Sequence, residues 1–278
     1  MLAILGLVAP RMRLDQLLVQ RGLAPSRERA QALILAGKIR VRGERADRAA
    51  ALLDPAADLS VDQGPRYASR GGDKLAAALD ELGLDPHGRV ALDLGSSTGG
   101  FTDVLLQRGA TRVYAVDVGK GQLDWRLRND PRVVVMEGVN ARDGVDLPEP
   151  IDLLVADLSF ISLRTAVPPS FRHLRPAADV LVLVKPQFEA GRDAVGKGGI
   201  VRDPAARAGA VVAVADRFAA EGVAPLAVVP SRLPGREGNI EIFLHARQGA
   251  ASLDPDTLAA EAERAARVDV HDRERTTA

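Results

Sequence analysis

The chain contains no cysteine and very few aromatic residues. Because none of its 278 residues is a cysteine, disulfide bonds, thiolate zinc sites and cysteine nucleophiles are excluded. The same absence excludes methylation of a pyrimidine at C5 through a cysteine adduct. Aromatic side chains make up only 3% of the residues, so we do not expect stacking on aromatic side chains to be the main mode of binding nucleic acid.

Apolar runs long enough to cross a membrane are also missing, and the first segment, MLAILGLVAP, is the one apolar stretch that needs a separate explanation. It has no leading basic region and is too short to span a bilayer. We interpret residues 1–12 as a start-site extension, because ordered sequence begins near Met12. A signal peptide is the alternative, and the intact mass of the native protein distinguishes the two. We therefore expect a cytoplasmic protein with no membrane partner.

Charge is unevenly distributed, although the formal net charge is zero. Residues 11–74 carry 13 basic and 8 acidic residues, a net charge of +5, and the rest of the chain carries 24 and 29, a net charge of −5. A basic module joined to an acidic one indicates that the first binds a polyanion. An ordinary solvated face gives the same counts, so charge alone leaves both interpretations open.

The basic part, residues 13–62, has the pattern of a small α+β module. Leucines at helical spacing from Leu14 and a cap at Ser26 predict two short helices. A basic hairpin, KIRVRGER, and a last strand, ADLSVD, are predicted to follow. The order of the short motifs RLD, RG, SR, A, GK and V-x-G resembles that of the S4 RNA-binding domain. S4 domains recognise the shape and the phosphate backbone of structured RNA. An unrelated two-helix module is the alternative. Our candidates for contacts with RNA phosphates are Arg13, Arg27, Lys38, Arg42 and Arg48.

The pattern changes to that of an α/β domain over residues 75–247, after a predicted linker at residues 63–74. Seven apolar segments, from RVALDLG to IEIFLHA, alternate with helical segments and predict a parallel sheet covered by helices on both faces. The expected fold class is therefore α/β, with the small α+β domain followed by a Rossmann-like domain. Residues 248–278 are interpreted as a C-terminal extension, in which LDPDTLAAEAERAARV is a candidate helix.

A turn of small residues, DLGSSTGGF at residues 93–101, follows the first strand of this domain. Such a turn lets a ligand approach the backbone, and Asp117 at the end of the next strand is placed to accept hydrogen bonds from ribose hydroxyls. The spacing acid-x-Gly-x-x-x-Gly differs from the dinucleotide motif and suits a nucleoside without pyrophosphate, which indicates S-adenosylmethionine. An NAD-binding domain is the alternative.

A second glycine-rich segment imitates a phosphate-binding P-loop. In GRDAVGKG, Gly198 stands where that motif requires a serine or threonine to bind Mg²⁺. We therefore interpret residues 191–198 as a mobile loop beside the active site. Its Arg192 and Lys197 are further candidates for contact with RNA.

Four charged residues are the candidates for catalysis: Lys74, Asp157, Lys185 and Glu241. Asp157 and Lys185 end apolar strands, and Glu241 lies inside the strand-like segment NIEIFLH. Buried charges are costly unless paired, and the cost usually has a functional reason. A ribose hydroxyl becomes a good nucleophile when its proton is taken, which a lysine does once its pKa falls toward neutrality. We interpret Lys185 as this base and Lys74 as a neighbouring cation; purely structural ion pairs are the alternative.

Both halves together resemble the TlyA family, FtsJ-like ribosomal RNA 2′-O-methyltransferases once named hemolysins. The stretches that carry the resemblance are SRGGDKL, LDLGSSTGGFTD, ADLSFISL, LVKPQFEAG and GNIEIF. The segment DLSF also departs from the polar-Pro-Pro-aromatic motif common in enzymes that methylate exocyclic amino groups. The resemblance implies a seven-stranded mixed sheet, S-adenosylmethionine as cofactor, and methyl transfer to cytidine ribose in the RNA of one or both ribosomal subunits.

The resemblance also implies roles for the candidate residues. The four charged residues would form a catalytic tetrad, in which Asp157 holds Lys185 and the methionine end of the cofactor, and Glu241 orients a lysine. One departure is Asp73, an acid directly before Lys74, which would weaken the effect of Lys74 on Lys185 if the two paired. The implied cofactor pocket is lined by Gly95, Ser97, Gly99, Phe101, Asp117, Asn140 and Asp157.

Two other functions are compatible with parts of the sequence. A non-catalytic ribosome-binding factor with this fold would bind RNA without transferring a methyl group. A membrane-lytic hemolysin would need a long apolar or strongly amphipathic segment, and the sequence shows none beyond its first nine residues. The sequence predicts no oligomeric state.

Overall fold

The computed structural model describes residues 10–62, 64–235 and 237–268. The chain divides into two compact units after Arg66. Most of the predicted start-site extension, residues 1–9, lies outside the described residues, as does the end of the C-terminal extension, residues 269–278.

The first unit joins two helices to short strands. Its elements are β1 (Met12–Arg13), α1 (Leu14–Gln20), α2 (Arg27–Leu35), β2 (Ile39–Val41), β3 (Glu44–Arg45), β4 (Leu52–Leu53) and β5 (Leu59–Val61). Strands β3, β2 and β5 form an antiparallel sheet, and β1 pairs with β4. Ser26 caps α2 as predicted, since its Oγ accepts a hydrogen bond from Arg29 N at 3.2 Å. The two helices, the hairpin and the last strand are confirmed, whereas two-residue strands such as β1 and β4 leave no periodic signal.

The second unit alternates strands and helices. Its elements are α3 (Arg70–Leu82), β6 (Val90–Leu94), α4 (Gly100–Gln107), β7 (Arg112–Asp117), α5 (Trp125–Arg128), β8 (Val133–Glu137), β9 (Ile151–Ala156), α6 (Leu163–Ala166), β10 (Leu174–Val184), α7 (Pro186–Glu189), α8 (Pro204–Ala219), β11 (Val223–Pro230), β12 (Ile242–Gln248) and α9 (Pro255–Ala266). All seven predicted strands are present. The candidate helix after residue 247 is α9, which buries Leu258, Ala262 and Ala266 in the core.

The seven strands form one mixed sheet in the order β11-β12-β10-β9-β6-β7-β8. β12 runs antiparallel to β10 and β11, and the other neighbouring pairs are parallel. Apolar side chains fill both faces of the sheet, as expected for strands covered by helices on two sides. Because β12 is reversed, its first residue lies at the edge where β6, β7, β9 and β10 end. This edge is where an open α/β sheet places its ligands.

Two predicted positions differ from the observed ones. α3 begins at Arg70, so Lys74 lies inside a helix, although the sequence pattern places it at the end of a linker. Glu241 is not inside a strand, because β12 begins one residue later, at Ile242. The glycines of SRGGDK hide the helical pattern, since glycine is a poor helix former.

A buried carboxylate, Asp179, lies in the middle of β10. It accepts hydrogen bonds from Arg89 NH1 at 2.6 Å, His245 Nε2 at 2.8 Å and Arg247 Nε at 2.8 Å. Burial raises the pKa of Asp179, but these three donors outweigh burial and hold the pKa well below its usual range. The carboxylate therefore stabilises β10 against β12 only while it is ionised.

We expect Asp179→Asn to lower the free energy of unfolding by about 2 kcal/mol at pH 7, because it leaves the partly exposed Arg89 and Arg247 without the buried counter-charge that they share. The pKa of Asp179 is lower in the folded protein than its ordinary value of 3.8. The ionised carboxylate therefore stabilises the fold above pH 3.8, and this stabilisation is lost as the pH falls below that value. The difference between wild type and variant, measured by urea unfolding, should therefore shrink between pH 5 and pH 3. An equal difference at every pH would contradict this account.

Candidate active site

The carboxyl edge of the sheet brings three of the four candidate catalytic residues to the ends of neighbouring strands. In the register of the sheet, Leu94 pairs with Ala156, and Val184 pairs with Ile242. Asp157, Lys185 and Glu241 each adjoin one of these paired residues in the chain. Their proximity therefore follows from strand order and from the reversal of β12.

Lys74 and Glu241 form a buried ion pair. Lys74 Nζ donates a hydrogen bond to Glu241 Oε2 at 2.5 Å, and the side chains are 11% and 4% exposed. Lys74 lies in the first half of α3 and points inward, whereas Asp73 is exposed. The acid beside Lys74 in the sequence is thus not the one that receives its hydrogen bond.

Lys185 is held by two acceptors that follow β9. Its Nζ lies 2.8 Å from Asp157 Oδ1 and donates a hydrogen bond to Ser159 Oγ at 2.8 Å. The approach to Oδ1 is short but does not have hydrogen-bond geometry, and this buried oxygen has no hydrogen-bond donor among the described residues. The Lys185 side chain is only 12% exposed, so a largely buried stem brings its amine to the edge of the sheet, beside exposed Ser159.

The four candidates thus form two ion pairs, Lys74–Glu241 and Lys185–Asp157. Lys74, interpreted from the sequence as a cation near Lys185, has Glu241 as its counter-charge at 2.5 Å. An acidic partner for each lysine fixes the position of both amines.

A tight loop before β12 seats Glu241. Ser231 N donates to Glu241 O at 2.9 Å, and a Cβ added to Gly235 would lie 2.5 Å from Glu241 Oε1. Asn239, which is 1% exposed, donates to Gly199 O at 2.9 Å and accepts from Val201 N at 3.0 Å. The end of the glycine-rich segment is therefore anchored to the loop that carries Glu241.

The cofactor turn depends on two glycines. Gly95 has a φ of +83°, and a Cβ there would lie 2.6 Å from Asp157 O. Gly99 has a φ of +96°, and a Cβ there would collide with Leu127. Side chains at these positions would therefore be both strained and too large, which explains the glycine spacing of the motif.

Asp93 is the acid of the acid-x-Gly-x-x-x-Gly turn, and the sequence assigned it no contact of its own with the cofactor. It is fully buried in β6, and its Oδ2 accepts a hydrogen bond from Thr102 Oγ1 at 2.6 Å. Its Oδ1 has no hydrogen-bond donor among the described residues. Burial raises the pKa of Asp93 to about 7, and the nearby charges of Asp157 and Asp117 act in the same direction. An acid inside the apolar strand VALDL was the available signal.

The remaining cofactor candidates line the same edge in different ways. Asp117 accepts hydrogen bonds from Ser97 N at 2.8 Å and Gly119 N at 2.7 Å, so its carboxylate shapes two backbone turns. Asn140 Oδ1 accepts from Arg142 N at 3.1 Å. Phe101 is 3% exposed and stacks on Phe243 at a centroid distance of 6.2 Å. Direct cofactor contacts by these residues stay predictions.

An exposed aromatic side chain stands beside Lys185. Phe160 is 91% exposed and has a φ of +65°, which is rare for a residue with a large side chain. Its ring packs against that of Phe188 at a centroid distance of 5.2 Å. Residues 158–160 thus place one acceptor, Ser159, and one exposed ring next to the candidate base.

In the first unit, the candidate RNA contacts divide into two classes. Arg13 donates to both oxygens of buried Asp15 at 3.0 Å, and Arg27 donates to Asp15 Oδ2 at 3.2 Å. These hydrogen bonds, that from Arg13 above all, hold the pKa of Asp15 well below its usual range. Lys38, Arg42 and Arg48 are exposed. Arg13 and Arg27 therefore support the fold of the unit in addition to any contact with RNA.

This division predicts different outcomes for two substitutions. Arg27→Glu should weaken RNA binding and also lower the melting temperature, because it places a second carboxylate beside Asp15. Arg48→Glu should weaken RNA binding with little change in melting temperature. The slope of log K for RNA binding against the logarithm of salt concentration should become smaller in magnitude by about 0.7 to 0.9, as expected for one lost phosphate contact. Filter binding at several salt concentrations measures both. Unchanged RNA affinity in Arg48→Glu would contradict its assignment.

Neither a metal centre nor a membrane helix is present in the part of the chain that the structure describes. No group of three or more histidine or acidic side chains there could hold a metal ion. No helix of the described ranges is both long and apolar enough to cross a bilayer.

Comparison with known proteins agrees with this architecture. Residues 67–248 match the model of the FtsJ-like methyltransferases, and residues 12–59 match that of the S4 domain. The chain belongs to the TlyA group of the FtsJ-like methyltransferase family. It is 50% identical over 246 residues to the 16S/23S rRNA (cytidine-2′-O)-methyltransferase TlyA of Mycobacterium tuberculosis. The aligned region covers 86% of this chain and 91% of that relative.

Family members with the older name are also similar. Hemolysin A of Brachyspira hyodysenteriae is 39% identical over 84% of this chain and 99% of its own length. The solved structure of a candidate hemolysin from Streptococcus thermophilus covers 96% of this chain and 98% of that one, with 35% identity and a TM-score of 0.69. Membership in the family confirms the predicted fold class, with an S4 domain before a Rossmann-like methyltransferase domain, and makes this chain a methyltransferase.

Proposed function

We propose that this chain transfers a methyl group from S-adenosylmethionine to the 2′-hydroxyl of cytidine in ribosomal RNA. The observation that carries the proposal is a largely buried lysine, Lys185, whose amine is held between Asp157 and Ser159 at the carboxyl edge of a methyltransferase sheet. An amine in this position suits removal of a proton from a hydroxyl. The relative that is 50% identical is named for this reaction in 16S and 23S rRNA.

The residues of the site fit S-adenosylmethionine. One buried carboxylate oxygen, Asp93 Oδ1, has no hydrogen-bond donor among the described residues, whereas Asp157 Oδ1 already lies 2.8 Å from Lys185 Nζ. A buried acceptor such as Asp93 Oδ1 suits a cationic ligand, and S-adenosylmethionine carries an ammonium and a sulfonium. The glycine turn at Gly95 and the carboxylate of Asp117 would hold the adenosine part. When bound, the cofactor supplies an electrophilic methyl group.

The chemistry assigned to the chain's own residues is positioning and proton transfer. The neutral amine of Lys185 would take the proton of the 2′-hydroxyl as the oxygen attacks. Asp157 and Ser159 would fix the direction of that amine, and in-line positioning would supply much of the rate. The buried Lys74–Glu241 pair would hold α3 against the start of β12 and keep the reacting edge dry.

Recognition of RNA is assigned to both units. The S4 unit carries the exposed basic side chains Lys38, Arg42 and Arg48, which suit phosphate contacts. In the methyltransferase unit, exposed Phe160 suits stacking against one unpaired base next to Lys185. The partner is therefore proposed to be ribosomal RNA or a ribosomal subunit, bound in the cytoplasm.

The deciding experiment uses purified protein, radiolabelled S-adenosylmethionine, and both ribosomal subunits from a strain that lacks the enzyme. After alkaline hydrolysis, label in alkali-resistant dinucleotides places the methyl group on a ribose 2′-oxygen and supports the proposal. Label in mononucleotides would mean base methylation and overturn it. Absence of label in both subunits would favour a ribosome-binding factor without activity.

The membrane-lytic function makes a different prediction. It requires leakage of a dye from liposomes on addition of protein that begins at Met12. The described helices offer no membrane-spanning segment for such an activity. Leakage at protein concentrations that also support methyl transfer would establish a second activity.

A further inference from the structure

A buried carboxylate, Glu189, joins the segment after Asp157 to the helix after Lys185. It ends α7 and is only 6% exposed. Its Oε1 accepts a hydrogen bond from Leu163 N at 2.6 Å, and its Oε2 accepts one from Ser162 Oγ at 2.6 Å. Arg164 adds a longer ion pair, with Nε 3.4 Å from Oε2. One side chain thus connects the start of α6 to the end of α7.

The two joined segments are those that hold the candidate base. α7 begins directly after Lys185, and residues 157–162 lead from Asp157 to α6. Lys185 Nζ contacts Asp157 and Ser159 across the gap between these segments. The distance between base and acceptors therefore depends on how α7 and α6 are held together, and Glu189 is the charged group that holds them.

The same segment stores backbone strain. Phe160 has a φ of +65°, and a residue with a side chain in this region costs about 1–3 kcal/mol, so it persists only where its surroundings enforce it. The ring of Phe160 is almost fully exposed, so burial of that ring contributes little to holding the backbone. The hydrogen bonds from Ser162 and Leu163 to Glu189 lie two and three residues later and supply such a constraint.

We propose that Glu189 is a positioning residue for methyl transfer, which sets the distance between Lys185 and the acceptors Asp157 and Ser159. The inference rests on the proposed function, because Lys185 is the proposed base. Displacement of a catalytic group by about 1 Å can lower a rate by about 100-fold. A carboxylate that is merely structural would change stability and leave turnover per folded molecule unchanged.

The test compares Glu189→Gln, Ser162→Ala and the double variant. Glu189→Gln removes the negative charge and replaces one of the two accepting oxygens by an amide nitrogen that cannot accept, whereas Ser162→Ala removes the donating hydroxyl and keeps the buried carboxylate. Glu261→Gln is the matched control, because Glu261 also accepts a backbone hydrogen bond, from Val228 N at 3.0 Å, on the distant β11–α9 side. For each protein, kcat and KM for ribosomal subunits, the Kd for S-adenosylmethionine and the melting temperature are measured.

We expect Glu189→Gln to lower kcat by about 10- to 100-fold, with KM for the subunit nearly unchanged. Ser162→Ala should lower kcat to a smaller degree, and the double variant should resemble Glu189→Gln, since the two groups act as one unit. Glu261→Gln should lower the melting temperature without changing kcat.

Two results would overturn the inference: a wild-type kcat in folded Glu189→Gln, or multiplicative losses in the double variant. Failure of the proposed function is distinguishable, because the position of the label in wild-type product reports it. A methyl group on a base together with a lower kcat in Glu189→Gln would reject the ribose assignment and retain Glu189 as a positioning residue.

Discussion

Replacement of Lys185 by alanine is expected to abolish methyl transfer, with kcat lowered by at least about 1,000-fold. The substitution removes the amine that is proposed to take the hydroxyl proton, and it leaves Asp157 without its ion-pair partner and Ser159 without its donor. Single-turnover measurement with labelled S-adenosylmethionine and ribosomal subunits gives the rate. Cofactor affinity, measured by calorimetry, should change little, because the cofactor turn lies on β6 and β7.

The matched control is Ser159→Ala, which keeps the lysine and removes one of its two acceptors. A loss of about tenfold is expected there, because Asp157 still orients the amine. Turnover at the wild-type rate in Lys185→Ala would show that the hydroxyl proton leaves by another route. An equal loss in both variants would mean that orientation, rather than the amine itself, limits the rate.

The second large effect concerns the buried Lys74–Glu241 pair. Glu241→Gln leaves Lys74 as a buried cation without its counter-charge, so the free energy of unfolding should fall by about 3–5 kcal/mol. Methyl transfer should also be lost. Urea unfolding and kcat per folded molecule measure the two effects separately.

A double replacement separates fold from catalysis. Changing Lys74 to methionine and Glu241 to leucine substitutes apolar groups of similar size for the buried pair, an exchange that is often neutral or stabilising. We expect stability to return while methyl transfer stays lost. Recovery of activity in the double variant would assign the pair a structural role alone.

The regular parts of the fold were predictable because they repeat a physical period. Apolar runs such as IDLLVAD and VLVLVK are long enough to identify buried strands, and the acid-x-Gly-x-x-x-Gly turn has a chemical reason for each glycine. Charged residues at strand ends marked Asp157 and Lys185, because their burial demands a partner. Each of these signals lies within a short stretch of the chain, so it can be recognised in a single sequence.

Pairings between distant residues were not predictable in the same way. The hydrogen bond from Lys74 to Glu241 joins residues 167 positions apart, and no local pattern shows that Glu241, rather than Asp73, receives it. The bonds of Arg13 and Arg27 to Asp15 depend likewise on tertiary packing. The helices α5, α6 and α7 have four residues each, too few to display a helical period.

The reversal of β12 also sets the order in which the enzyme can mature during its own synthesis. The carboxylate that compensates Lys74 is contributed by Glu241, near the end of the methyltransferase unit, although Lys74 itself lies near its beginning. A nascent chain that ends before β12 carries a lysine it cannot bury without cost and an unpaired edge on β10. Synthesis therefore completes the Lys74–Glu241 pair only after most of the methyltransferase unit has been made.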